Sequence, residues 1–132
     1  MAGGEQTGFS CPDNMAFDPA GNLWFTSDIS GSAIGKTPYE AFKNNGLYVV
    51  PRFGTQVGEV IQVASAPYDA EFTGPFFTPD GKTLFVSVQH PGETSDSLDN
   101  LSSHWPEGGD AIPKPSVITI QGPSLEALTR IG

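Results

Sequence analysis

Phe17-Asp18-Pro19-Ala20-Gly21-Asn22-Leu23-Trp24-Phe25-Thr26 and Phe77-Thr78-Pro79-Asp80-Gly81-Lys82-Thr83-Leu84-Phe85-Val86-Ser87 are two copies of one pattern. The offset is 60 at the proline and 61 at the leucine, so the second copy carries one inserted residue. Each copy is an apolar run, a Pro-x-Gly turn and a second apolar or aromatic run. Proline presets φ for the turn and glycine takes the positive φ of a tight reversal, so each copy predicts a β-hairpin. A third β-like run follows each hairpin after a long loop, Leu47-Tyr48-Val49-Val50 in the first copy and Val117-Ile118-Thr119-Ile120 in the second. The first copy adds a fourth run, Val60-Ile61-Gln62-Val63; the second continues only from Pro123 to Gly132, where Leu125-Glu126-Ala127-Leu128 suggests one helical turn. The best other helix candidate is Thr37 to Lys43, with a threonine N-cap and Pro38 at the first helical position.

Repeated four-stranded antiparallel units are the sequence signature of a β-propeller. The chain is therefore expected to be all-β, a propeller fragment of about two blades. A four-stranded blade is expected over 9–66 and a three-stranded, incomplete one over 67–132, after a flexible N-terminal tail at 1–8. Two blades cannot close a ring, and open blades leave apolar faces and strand edges bare, so further blades or self-association are expected to cover them. The opening Met-Ala-Gly-Gly-Glu-Gln-Thr-Gly has neither a basic region nor an apolar core. No signal peptide is expected there, and the chain reads as a piece of something longer. A small β-sandwich with an accidental hairpin echo is the competing architecture.

Composition narrows the function. The 132 residues carry 6 Lys and Arg against 15 Asp and Glu, a net charge of −9. Six scattered cations form no basic groove, which argues against a nucleic-acid partner. No apolar stretch approaches the ~18 residues of a membrane span. An acid excess suits hard cations bound through oxygen. The single cysteine, Cys11, excludes an internal disulfide framework and a multi-cysteine zinc site. There is no Gly-rich phosphate loop, no His-x-x-x-His pair and no Gly-x-Ser-x-Gly elbow, and the only histidines are His90 and His104.

Hairpin order places the two Pro-x-Gly turns at one end of the blades. The segments entering the first strands, and the loops leaving the second strands, gather at the other end. The loop from Gln89 to Pro115 is long enough to be functional or disordered. Four groups fall at that end. Asp13-Asn14 offers a carboxylate and an amide, or a turn that satisfies its own backbone. Glu71 stands between apolar residues in Ala70-Glu71-Phe72-Thr73-Gly74-Pro75, where a carboxylate must be paired or metal-bound if buried. His90-Pro91-Gly92-Glu93 is a sharp turn that aims His90 and Glu93, although His90 by itself reads equally as a hydrogen-bonding residue. Thr94-Ser95-Asp96 with Asp99 reads as a solvated loop.

The ordered set is specific. Phe9-Ser10-Cys11-Pro12-Asp13-Asn14-Met15-Ala16-Phe17-Asp18 with Gly21-Asn22-Leu23-Trp24, then Glu71-Phe72-Thr73-Gly74-Pro75 and Phe77 to Phe85, begin it. Gln89-His90-Pro91-Gly92-Glu93, Ser103-His104-Trp105-Pro106 and Pro113-Lys114-Pro115-Ser116 complete it. Together, from about Phe9 to Ile120, these segments resemble the C-terminal portion of the PhoX-type alkaline phosphatases. That resemblance implies a six-bladed propeller that hydrolyses phosphomonoesters with calcium and iron on the channel axis, exported to the bacterial periplasm or cell surface. It implies that Asn14 hydrogen-bonds substrate phosphate and that Glu71 is a metal ligand. Glu93 is a second ligand or, with His90, a group that supports the ligands, and the two glutamates can exchange roles. The family's upstream blades, with most carboxylate ligands, the phosphate-binding cations and the iron-bound cysteine, have no counterpart here. Cys11 lies where the family places no such cysteine. The chain is thus expected to hold a minority of the site and to be inactive alone. Two other readings share parts of the pattern: a fragment of a calcium-dependent lactonase of the gluconolactonase type, and a non-catalytic propeller interaction module.

Overall fold

The computed structural model describes residues 8–130; of the expected N-terminal tail, residues 1–7 lie outside them. Seven strands follow in order: β1 Pro12–Phe17, β2 Leu23–Ser27, β3 Gly46–Val50, β4 Ile61–Ser65, β5 Glu71–Phe77, β6 Thr83–Gln89 and β7 Ser116–Gln121. They form two antiparallel sheets, β1-β2-β3-β4 and β5-β6-β7, each in plain chain order. This is an all-β propeller fragment of one four-stranded and one three-stranded blade. Where a fourth strand of the second sheet would follow β7, the chain forms α1, Pro123–Thr129, with Leu125 buried.

Both Pro-x-Gly segments are hairpin turns. Gly21 and Gly81 take φ of 85° and 69°, the left-handed values such reversals need. The register is Phe17 opposite Leu23 in one hairpin and Phe77 opposite Leu84 in the other. The Thr37–Lys43 helix does not form. Lys36, Tyr39 and Phe42 donate to Ala33, Lys36 and Tyr39, a run of tight turns, and the Thr37 hydroxyl bonds the Glu40 carboxylate instead of capping a backbone N–H.

Period-two alternation sends one face of each sheet into a shared core. Trp24, Leu47 and Val49 from the first sheet meet Phe72, Phe77, Leu84, Val86 and Val88 from the second. Trp24 and Phe77 pack with ring centroids 5.1 Å apart. Burying side chains of this size is the main favourable term, roughly 1.5–3 kcal/mol each. On the far side of the first sheet, Phe25 stacks on Tyr48 and is covered by Phe9. On the far side of the second, Phe76, Phe85 and Val117 are exposed.

The turn end is wired shut. The Asp18 carboxylate accepts from Asn22 N (3.0 Å), Asn22 Nδ2 (2.8 Å) and Trp24 Nε1 (2.8 Å). Asn22 Nδ2 also donates to the Leu128 carbonyl, and the Thr129 hydroxyl donates to the Gly81 carbonyl, each at 2.8 Å. These bonds anchor α1 across both hairpins.

Candidate metal centre

The opposite end gathers acids. β1 carries Asp13 at its head, β2 is followed directly by Asp28, and β5 opens on Glu71. Hairpin pairing accounts for the first two: Pro12 lies opposite Ser27, so the head of β1 and the end of β2 sit side by side, and Asp13 and Asp28 come from those two neighbouring ends. The Asp28 amide donates to the Cys11 carbonyl at 2.9 Å, which closes that corner. Sheet packing brings β5 against β1 and β2. One carboxylate oxygen from each of Asp13, Asp28 and Glu71 then lies within 4.8 Å of the others.

Glu71 is buried, whereas Asp13 and Asp28 are exposed. Its Oε1 lies 3.2 Å from His90 Nε2, and its buried Oε2 has no hydrogen-bond partner. Burial and then the neighbouring Asp28 carboxylate push its pKa up to about 7, against the opposing pull of His90. Of the three, Glu71 alone is cut off from water, and its charge beside two other carboxylates is costly. A proton on Glu71 or a cation beside it relieves that cost, and an oxygen-only donor set with one unused buried oxygen has the chemistry suited to a hard cation such as Ca²⁺.

The remaining candidates surround this group. His90 follows β6 with φ 35°, and its Nδ1 faces Glu93 Oε2 at 3.7 Å. Glu93 also accepts from Gly31 N at 3.2 Å, so it touches the loop after β2 and is not among the three clustered acids. Asn14 lies at a bulge in β1 that faces a matching bulge in β5. Its Oδ1 accepts from the Thr73 hydroxyl and from Gly74 N (2.7 Å), and its Nδ2 donates to Asp13. Asn14 thus joins the two inner strands while holding Asp13. Asp96 and Asp99 are exposed, and Asp96 is bonded only by Asn100 in its own turn.

Sequence reading missed three residues. Asp28 directly follows β2, and nothing local marks it out, because Glu71 reaches it only when the sheets pack. Buried Asp69 gave none: its Oδ2 accepts from Thr94 N (2.8 Å), Thr94 Oγ1 (2.9 Å) and the Ser102 hydroxyl, clasping the long loop over the site. Gly31 fits beneath this clasp because any Cβ there would lie 2.3 Å from Asp69 Oδ1 and 2.8 Å from Glu93 Oε2. Asn45 is the third.

Comparison with known proteins agrees with this fold. The sequence profile of the family described as "Alkaline phosphatase PhoX" matches residues 2–92. The solved structure titled "Pseudomonas fluorescens PhoX in complex with vanadate, a transition state analogue" matches 83% of this chain at 34% identity with a TM-score of 0.65. This chain covers 17% of that one. A search of curated proteins gave no match.

Proposed function

The chain belongs to the PhoX alkaline phosphatase family, and from that premise we propose that it is the C-terminal part of a metal-dependent phosphomonoester hydrolase, contributing ligands and phosphate contacts to a site it does not complete. One observation carries the reading: buried Glu71, with an unpartnered oxygen, stands within 4.8 Å of Asp13 and Asp28 at the mouth of the blades. Glu71, Asp28 and Asp13 would hold a cation, with calcium the best match to their oxygen chemistry. Iron belongs to the whole protein's site, where the other blades supply further ligands. Bound cations neutralise phosphoryl oxygens and stabilise the charge of the transition state.

The chain's own residues orient and exclude. His90 holds Glu71 through Oε1 and leaves Oε2 free to ligate. Asn14 fixes Asp13, and its amide has one N–H beyond that bond for a phosphate oxygen. Glu93, through Gly31, draws the loop after β2 toward the site and stands as a further ligand candidate. Family membership favours phosphoryl over lactone chemistry. By the same resemblance the enzyme works in the periplasm or outside the cell; among the described residues no helix is long and apolar enough to cross a membrane.

The test is phosphomonoesterase activity of the full-length protein with calcium and iron supplied. Glu71→Gln is expected to cost on the order of 100-fold in kcat, the scale of removing one electrostatic contributor. The two-blade chain alone is expected to show no turnover. A fully active Glu71→Gln enzyme, or lactone turnover without phosphatase activity, would sink the proposal.

A further inference from the structure

Asn45 lies just before β3, only 3% exposed, and all four hydrogen-bonding positions of its carboxamide are used. Its Oδ1 accepts from Ile29 N (2.7 Å) and from the Ser27 hydroxyl (3.1 Å). Its Nδ2 donates to the Ile29 carbonyl (2.9 Å) and to the Ala70 carbonyl (3.2 Å). Ser27 and Ile29 are the residues on either side of Asp28, and Ala70 immediately precedes Glu71. Ser27, Ile29 and Ala70 are themselves buried, so none can replace these bonds with bulk water.

We infer that Asn45 is a positioning residue for the acid group: one side chain clamps both flanks of Asp28 to the residue before Glu71 and sets the spacing of the two carboxylates across the two sheets. The use of that spacing for a cation rests on the function proposed above. Asparagine is the side chain this place requires. Two N–H or O–H donors and two carbonyls converge on it, and only a primary amide on a short stem offers two acceptor sites and two donors in one plane. Leucine or alanine would leave the Ile29 N–H and two carbonyls buried without partners. Aspartate would keep the acceptor half, which holds the Asp28 flank, and lose both donors, including the bond to Ala70. Outer groups that orient ligands typically matter 10–100-fold in metal affinity, and that range sets the expected effect.

The experiment compares Asn45→Ala, Asn45→Asp and Ser27→Ala with Thr129→Ala, which removes a buried hydrogen bond at the turn end. Crystal structures of the metal-free chains give the Asp28–Glu71 spacing, and calorimetry with Ca²⁺ alone gives affinity. Asn45→Ala is expected to widen the spacing and weaken Ca²⁺ binding at least about tenfold, with Asn45→Asp and Ser27→Ala between it and wild type. Thr129→Ala should lose stability without changing either readout. Should Asn45→Ala fail to fold, the two milder variants decide the question by the same readouts. Unchanged spacing in the folded variants overturns the inference, and so does an equal loss of affinity in Thr129→Ala. A wild-type chain that takes up no calcium while its spacing still depends on Asn45 overturns the cation reading and leaves the clamp standing.

Discussion

Asp18 and Glu71 are buried to the same degree, each 5% exposed, at opposite ends of the same pair of blades. Asp18 meets three N–H donors within 3.0 Å. Glu71 meets one histidine nitrogen, two other acids nearby, and nothing at Oε2. Burial alone therefore does not distinguish a carboxylate that the fold satisfies from one that it leaves unsatisfied. The supply of donors does: the chain itself solvates the charge of Asp18, whereas the charge of Glu71 is left for something else to neutralise.

The largest effect that could break this contrast is at the turn end. Asp18→Ala leaves Trp24 Nε1–H and the Asn22 donors facing a void, and it also loosens Asn22, which holds the Leu128 carbonyl. A loss of about 3–5 kcal/mol is expected, read from the denaturation midpoint. A loss below 1 kcal/mol would mean that the network is not what secures this end.

Glu71→Gln should act with the opposite sign in the metal-free chain. The folded pKa of Glu71 is raised from the ordinary 4.5 to about 7, so folding favours its neutral form. That contribution is fully present below pH 4.5 and is lost as pH rises through about 7, because above it the folded state must carry the buried charge. Stability should fall by about 2 to 3 kcal/mol across this window. Thermal melts in chelator should show the fall in wild type and lose most of it in Glu71→Gln, which becomes the more stable chain at pH 8. Millimolar calcium should restore wild type at pH 8 and leave Glu71→Gln unmoved.

How much of this contrast was legible in sequence follows from distance along the chain. Hairpins, strand order and the missing outer strand were readable because proline, glycine and period-two alternation act over a few residues. Glu71 was readable too, as a carboxylate among apolar neighbours at a strand head. Asp28 and Asn45 were not, because their meaning depends on segments 25 to 43 residues away: Asn45 finds Ala70, and Asp28 finds Glu71, only once one sheet has packed on the other. The Thr37–Lys43 helix failed for the complementary reason. Its cap residues were right in type, but the Thr37 hydroxyl took a carboxylate partner and the backbone settled into successive turns.

Asp28→Asn sharpens the comparison within the acid group. Asp28 raises the Glu71 pKa by accepting a hydrogen bond that only the protonated Glu71 carboxyl can donate and by its charge, so its removal should lower that pKa and shift the stability decline to lower pH. Asp28 is exposed, and solvent screening holds the expected gain at pH 8 to no more than about 1 kcal/mol. A decline that still runs on to about pH 7 in Asp28→Asn would show that burial alone sets the Glu71 pKa.

The smallest effect belongs to Asp80, in the second hairpin turn. It accepts from Thr78 Oγ1 (2.6 Å) and Lys82 N (3.1 Å), and these bonds hold its pKa below the ordinary 3.8. The sign is opposite to that of Glu71: the stabilisation is present above pH 3.8 and is lost as pH falls below it. Asp80 is exposed, so water replaces either partner at little cost, and Asp80→Asn should move the melting temperature far less than Asp18→Ala does, at neutral pH and below. The two turns are equivalent in the repeat, but Asp18 is buried against Trp24 and Asp80 is open to solvent. If Asp80→Asn proved as costly as Asp18→Ala, turn geometry rather than burial of the donors would govern this end, and the contrast between Asp18 and Glu71 would lose its physical basis.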